Sequence, residues 1–291
     1  MTRAYATSGP ACIPAASSAA EADFGQAERN EAAKVLTDRY RPAMPDDPFA
    51  DPRLVGLYDL DNPSGPDHDF YRSLADKIGA RTIVDLGCGT GLLTVSLAVD
   101  GRSVIGIDPS PTMLDYARTR PGAELVTWVD GDASAMATAL AGHGVDLVVM
   151  SGNTAQHILG ADWAATLHHI RDLLRPGGTL AFESRNPDNR AWEDWTAERT
   201  RASRDTPAGQ LTEWLELISV TPREVTFAAH NVFTDTGEDA VYRSTLAFRT
   251  AEELTADLDA AGLAVCSIAG GWSQEPVTPA SRILVITAVR P

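Results

Sequence analysis

Apolar residues follow two different periods along the chain. Between residues 82 and 186, short apolar runs that read as strands buried on both faces alternate with stretches in which apolar residues recur every three to four positions, the helical spacing. Strands are predicted over 82–86, 103–107, 124–129, 145–150 and 179–184. The run at 145–150, VDLVVM, is apolar almost throughout, which is the pattern of a central parallel strand. One helix is expected over 91–99, closed by Asp100-Gly101. A second follows the cap Ser110 and turns Met113, Leu114 and Ala117 inward. A third, over 161–174, shares Trp163, Leu167, Ile170, Leu173 and Leu174 on one face and is stopped by Pro176-Gly177-Gly178. Upstream, Phe70, Tyr71, Leu74, Ala75 and Ile78 line a helix capped by Asp67 and ended by Gly79.

Past residue 186 the pattern changes. A polar stretch over 187–205 carries Trp192 and Trp195, and β-type runs follow at 211–220, 223–233 and 240–248, with turns at Thr221-Pro222 and Asp235-Thr236-Gly237. A helix over 251–261, with Thr250 and Glu253 spaced as a capping box, and strands over 263–269 and 282–289 complete the pattern. The expected fold class is α/β: a doubly wound, seven-stranded, mostly parallel sheet with an antiparallel β meander inserted after the fifth strand. The expected divisions are an N-terminal arm over 1–41, disordered or partly helical, a core over 42–186, a lid or dimerisation insertion over 187–249 and completion of the sheet over 250–291. The proline- and aspartate-rich stretch from Pro42 to Pro66 reads as an extended strap anchored by Leu54, Leu57 and Tyr58.

Charge and cysteine content narrow the function. The 40 acidic against 24 basic residues give a net charge of −16, which repels a nucleic-acid backbone, and no basic patch offsets it. The chain lacks a run of about 18 apolar residues, so no membrane span is expected. Cys12, Cys88 and Cys266 are odd in number and far apart; they do not form a disulfide framework, which fits a reducing cytosol and a cytoplasmic location. His168 and His169 are adjacent on a helix and diverge by about 100°, so they cannot chelate one metal, and no metal site is expected.

The candidate chemistry centres on residues 83–91, IVDLGCGTG, where a strand runs into Gly87, Gly89 and Gly91. Glycine at alternate positions removes the Cβ where the backbone turns sharply and a ligand lies against it. Asp108 ends the next strand 21 positions after Gly87, the spacing at which a carboxylate meets ribose hydroxyls. The third glycine arrives one residue early for the dinucleotide fingerprint G-x-G-x-x-G. Cys88 within this turn reads as a small filler, since no histidine is near it in sequence.

Five motifs in order, VDLGCGTG (84–91), GIDPS (106–110), DGDA (130–133), VDLVVMSGN (145–153) and LLRPGGTLAF (173–182), resemble the core of the class I S-adenosylmethionine-dependent methyltransferases of small-molecule type. The resemblance implies S-adenosyl-L-methionine as cofactor and S-adenosyl-L-homocysteine as product. It implies that the backbone at Gly87, Cys88, Gly89 and Gly91 lines the methionine portion, with Asp85 near its ammonium group and Ser151 at the adjoining strand end. Asp108 is then expected on the ribose, Pro109 and Met113 as apolar walls of the adenine, and Asp132 and the Ala133 amide at its edge; an Asx turn is the structural alternative for Asp132. Tyr58 is expected at the methionine end.

Methyl transfer requires a lone pair held about 3 Å from the methyl carbon, in line with the bond that breaks. His157, following the fourth strand, is the candidate base, with a pKa of about 6.5 when unperturbed; a wall residue at the start of a helix is its alternative. Asn153 and Gln156 either orient the substrate or cap that loop. Arg185 binds a substrate carboxylate or pairs with Asp188 or Glu193. Trp192 and Trp195 line an aromatic substrate cavity or anchor the insertion to the core. The loop SGNT lacks the Asn/Asp-Pro-Pro-aromatic pattern of amide-methylating enzymes and the metal carboxylates of catechol-type ones. The acceptor expected is N or O of a small organic metabolite, of the kind made in secondary metabolism, with a homodimer through the inserted sheet as a possible assembly. A cyclase or decarboxylase type use of the same cofactor is the alternative.

Overall fold

The computed structural model describes residues 49–99, 101–136 and 144–291. The expected arm over 1–41, its helix and the first residues of the strap lie outside the described residues. In chain order, α1 (Pro52–Val55), α2 (Tyr58–Asp61) and α3 (Pro66–Lys77) precede β1 (Thr82–Leu86), α4 (Leu92–Leu97), β2 (Ser103–Asp108), α5 (Pro111–Ala117), β3 (Val126–Asp130) and β4 (Val145–Met150). Then come α6 (Thr154–His157), α7 (Gly160–Leu173) and β5 (Leu174–Arg185). A short helix α8 (Ala197–Thr200) leads into β6 (Ala202–Thr206), β7 (Gly209–Val220), β8 (Glu224–Phe233) and β9 (Glu238–Ala247). The chain closes with α9 (Ala251–Ala260), β10 (Ala264–Ala269) and β11 (Ile283–Val289).

The main sheet has the order β10-β11-β5-β4-β1-β2-β3. Parallel pairing joins β3, β2, β1, β4 and β5, while β11 runs antiparallel to both β5 and β10. The expected doubly wound, mostly parallel sheet is therefore present. The order reverses between β1 and β4, and a crevice opens at such a switch point beyond the carboxyl ends of the strands. Both faces are covered, as the unbroken apolar runs require. On one side Val84, Leu86, Val148, Phe182 and Leu284 pack against Trp163, Leu167 and Leu254; on the other, Ile83, Leu147 and Ala181 pack against Tyr71, Leu93 and Leu97.

Four local expectations change. The strap is not extended where it is described: Asp51 caps α1 with Pro52 at its first position, and α2 follows directly. Asp67 does not cap α3; Gly65 does, with Pro66 at the first position and Asp67 and Asp69 in the first turn, where carboxylates favour the helix dipole. Pro176-Gly177-Gly178 does not separate helix from strand. It forms an irregularity inside β5, where the pairing with β4 slips between Val145 and Leu147 and Gly177 takes φ +79°. The meander gains an edge strand, β6, so that the second sheet has four antiparallel strands in the order β6-β7-β8-β9. Its sequence, ASRDT, has no buried residue, so no apolar alternation announces it. The two predicted caps at Ser110 and Thr250 are made, the latter as a full capping box.

Candidate cofactor and methyl-transfer site

The glycine turn follows β1 and is built on left-handed backbone, with φ +73°, +54° and +76° at Gly87, Gly89 and Gly91. The Gly87 and Cys88 amides both donate to the Ile107 carbonyl at 2.7 and 3.0 Å, which folds the turn against the end of β2. A Cβ on Gly87 would lie 2.4 Å from the Thr154 methyl group and one on Gly91 2.5 Å from the Trp128 ring. A Cβ on Gly89 would meet nothing within 4 Å, so this glycine faces open space. Cys88 is a free, buried thiol whose pKa burial pushes well up, which makes it an inert filler. Cys266 on β10 is disulfide-bonded, so the cysteine count does not carry the expected compartment.

Two carboxylates flank the turn. Asp85 is fully buried, and Thr94 donates to its Oδ2 at 2.7 Å. Its Oδ1 is buried with no hydrogen-bond partner among the described residues. Burial raises the Asp85 pKa to about 7; the Thr94 bond opposes the rise and the nearby Asp108 charge adds to it. Asp108 accepts from the Gly89 amide at 2.8 Å and from the Ser110 amide at 2.9 Å, which fixes its carboxylate at the mouth of the turn. Met113 is buried on α5 beside it, while Pro109 is exposed. Asp132 turns back on its own loop and accepts from the Ser134 amide and hydroxyl at 2.9 and 2.6 Å, an Asx turn; Ala133 is buried beneath it.

The strap closes over this end of the sheet. Asp59 on α2 accepts from the Thr90 hydroxyl at 2.6 Å and from Arg120, whose guanidinium also donates to the Thr90 carbonyl. Tyr58 lies beyond, edge-on to Phe49 at 6.0 Å, and Phe49 in turn stands 6.3 Å from the His157 ring. Burial, followed by the charges of Asp108, Glu183 and Asp59, pushes the Tyr58 pKa up to about 12. The Tyr58 hydroxyl lies 3.6 Å from where a Cβ on Gly152 would stand, so the strap reaches the loop after β4 that begins with Ser151.

On that loop Asn153 has φ +60°, and its amide donates to Glu183 Oε1 at 2.5 Å. The Asn153 side-chain oxygen is buried without a partner among the described residues. His157 is solvent-accessible at the end of α6, yet enough protein surrounds the ring to lower its pKa, and the Arg185 charge pushes the same way. It is therefore neutral near pH 7. Gln156 is fully buried and spent on structure: its Oε1 accepts from Arg185 Nη1 at 2.9 Å and its Nε2 donates to the Ala247 carbonyl at 2.9 Å. Arg185 makes no ion pair with Asp188 or Glu193; Glu193 pairs with Arg190 instead. Trp195 lies 5.7 Å below the Arg185 guanidinium and packs on Phe227 at 4.8 Å, and Trp192 packs on Phe248 at 4.6 Å. Both tryptophans thus join the cluster of Val225, Leu246 and Phe248, tying the polar segment to the second sheet.

Residues that sequence reasoning passed over complete the picture. Glu183 on β5 is buried, accepts from the Tyr71 hydroxyl and has its pKa raised by burial to about 7. A lone acid within TLAFES was its only signal. Thr154 wedges against Gly87, and Phe49 links Tyr58 to His157. A cavity of about 170 Å³ lies between the strap and the inner face of the second sheet, lined by Phe49, Leu57, Tyr58, Asn231 and Tyr242, with Arg204 bridging Asp61 and Glu213 at its rim.

Comparison with known proteins places this geometry. Residues 83–178 match the family model described as a methyltransferase domain. Glycine N-methyltransferase of Mus musculus is 31% identical over 123 residues, 38% of this chain and 42% of that protein, so the chain spans less than half the length of this relative. The cypemycin N-terminal methyltransferase of a Streptomyces species is 27% identical over 73% of this chain and 84% of its own length. Among solved structures, CalS10 of Micromonospora echinaspora, an amino pentose methyltransferase bound to S-adenosylmethionine, superposes with a TM-score of 0.59 at 22% identity, covering 87% of this chain and all of that one. The relatives are methyltransferases, which leaves the cyclase or decarboxylase alternative without support. No helix among the described residues is long and apolar enough to cross a membrane. With its sheet order, its glycine turn and a methyltransferase domain matched over residues 83–178, the chain is similar to the class I S-adenosylmethionine-dependent methyltransferases.

Proposed function

We propose that this protein transfers the methyl group of S-adenosylmethionine to an amine or hydroxyl group of a small organic metabolite by in-line displacement. The observation that carries the reading is the pairing, at one turn, of a glycine facing open space with a buried carboxylate oxygen that has no partner among the described residues. Those two features suit a ligand that lays an amino-acid end over the backbone: Gly89 leaves room for it and Asp85 Oδ1 is available to its ammonium. Asp108, fixed by two amides at the mouth of the turn, is placed for the ribose hydroxyls, and Met113 and Ala133 supply apolar walls for a base. Cys88, Pro109, Asp132, Ser151 and Tyr58 complete the proposed cofactor set. When bound, the cofactor supplies an electrophilic methyl group on a sulfonium.

The chain's own contribution is positioning. The strap, held down by Asp59, excludes water above the turn, and the cavity beneath it takes the body of the acceptor. His157, neutral near pH 7, accepts the proton that an ammonium or hydroxyl acceptor must lose. Asn153, with Arg185 held by Gln156 and backed by Trp195, faces the acceptor side. Amine acceptors are favoured by the names of the relatives, a glycine N-methyltransferase, a cypemycin N-terminal methyltransferase and an amino pentose methyltransferase. A role in secondary metabolism, a cytoplasmic location and a homodimer formed through the second sheet, whose Ile218, Val220 and Val241 are exposed, belong to the same reading.

The test is incubation with methyl-labelled S-adenosylmethionine and a panel of amino sugars, amino acids and phenols, followed by mass spectrometry. A product one methyl group heavier, formed together with S-adenosylhomocysteine, is expected. Absence of cofactor binding by calorimetry would overturn the reading.

A further inference from the structure

We infer that Glu183, held by Tyr71, is a positioning residue that couples the acceptor loop to the cofactor turn. This rests on the proposed methyl transfer, and it assigns a role to a buried pair that the reaction itself does not use.

Glu183 sits near the C-terminal end of β5 and is 3% exposed. One carboxylate oxygen accepts from the Tyr71 hydroxyl on α3 and the other from the Asn153 amide on the acceptor loop. Asn153 is in the left-handed region, which asparagine adopts more readily than other non-glycine residues, and the bond to Glu183 fixes its amide there. The next residue, Thr154, is the side chain wedged against Gly87, and its hydroxyl contacts the Gly87 carbonyl at 3.3 Å and the Ser151 carbonyl at 2.7 Å. Three residues further on is His157. The ionised Glu183 therefore fixes the start of a segment whose next side chain sets the cofactor turn and whose end carries the candidate base.

Protonation changes only one of its two bonds in kind. An amide N–H cannot reverse its direction, whereas a phenol can, so the proton goes toward Tyr71 and Asn153 is left with a neutral acceptor. A charged acceptor holds an amide roughly twice as strongly as a neutral one. Glutamine reproduces that protonated arrangement, with its oxygen toward Asn153 and its NH2 toward Tyr71. The charged and titratable groups that act on Glu183 are Tyr71 and Asp67 of α3, and it acts in turn on Tyr58 of the strap and on Arg185 of its own strand. Tyr71 is pushed well above its ordinary range and stays a neutral donor.

The experiment measures S-adenosylhomocysteine affinity of the full chain by calorimetry as a function of pH. Glu183→Gln is expected to match the unsubstituted protein near pH 6 and to bind about five- to tenfold more weakly near pH 8.5, where Glu183 is ionised. Asp85→Asn, used as a background, should leave that gap in place. Tyr71→Phe removes a bond that lowers the Glu183 pKa, so the midpoint of the affinity change should move to higher pH. If Glu183→Gln fails to fold, the Tyr71→Phe midpoint decides alone. A gap that is absent, or equal at both pH values, or a midpoint that stays or falls in Tyr71→Phe, overturns the inference. Failure of the unsubstituted protein to bind S-adenosylhomocysteine overturns the proposed function together with it.

Discussion

At the scale of single residues, the three glycines of the turn look alike in sequence but differ in the space around them. A side chain at 87 collides with Thr154, whereas one at 89 has room, although both positions require left-handed backbone. Gly87→Ala is therefore expected to lower the thermal midpoint measurably. Gly89→Ala should strain the turn by about 1 kcal/mol and mainly obstruct S-adenosylhomocysteine, with the loss of affinity in calorimetry exceeding the loss of stability. Asp85 gives a prediction with a sign. Its folded pKa of about 7 lies above its ordinary value of 3.8, so the native state keeps a proton that the unfolded chain gives up. Its contribution to stability is present below about pH 4 and is lost as the pH rises through about 7. Asp85→Asn should flatten the dependence of the thermal midpoint on pH across that window, and cofactor binding near pH 6 should release a proton in the unsubstituted protein and not in the variant.

At the scale of elements, the short helices α1 and α2 have too few residues to persist alone and depend on what they dock to. Asp59 ties α2 to the glycine turn, Asp61 ties it to Arg204 of β6, and Arg53 of α1 pairs with Asp51 and Glu238 while covering the Phe233 ring at 3.9 Å. Asp59→Ala should raise amide hydrogen exchange over residues 52–61 and weaken S-adenosylhomocysteine several-fold, with little change over β7 and β8. Why some elements were legible and others were not follows from burial. The strands β1, β2, β4 and β5 are buried on both faces and so carry unbroken apolar runs. β6 is an edge strand with no buried residue, and only its hydrogen bonds to β7 define it. Pro176-Gly177-Gly178 carries the letters of a helix stop, but here the irregular geometry is absorbed within a strand as a slip in register.

At the scale of the whole molecule, the second sheet is joined to the first through Arg249, at the end of the β8–β9 hairpin. It is 9% exposed, donates to the Ala155 and Ile158 carbonyls at 3.0 and 2.6 Å and lies 4.3 Å from the centre of the Trp163 ring. Burial lowers its pKa to about 10, still far above neutrality, so the guanidinium stays charged. Arg249→Met keeps the apolar stem and loses two hydrogen bonds from a charged donor, a cost of about 3 kcal/mol or more. Denaturant unfolding should show that loss and, if the two sheets uncouple, a transition no longer coincident between tryptophan fluorescence and circular dichroism. The sequence by itself determined the parallel sheet and the glycine turn, because those depend on local periodicity and on backbone freedom at fixed positions, and the resemblance of its five motifs to a known family implied the cofactor class. Tertiary structure alone decided that Glu183 meets Tyr71 and Asn153, that Arg185 is held by Gln156 rather than by an acid, and that the tryptophans anchor the second sheet. Those contacts join residues from about 30 to more than 100 positions apart, and a strand's period tells which face a side chain takes without telling what it meets there.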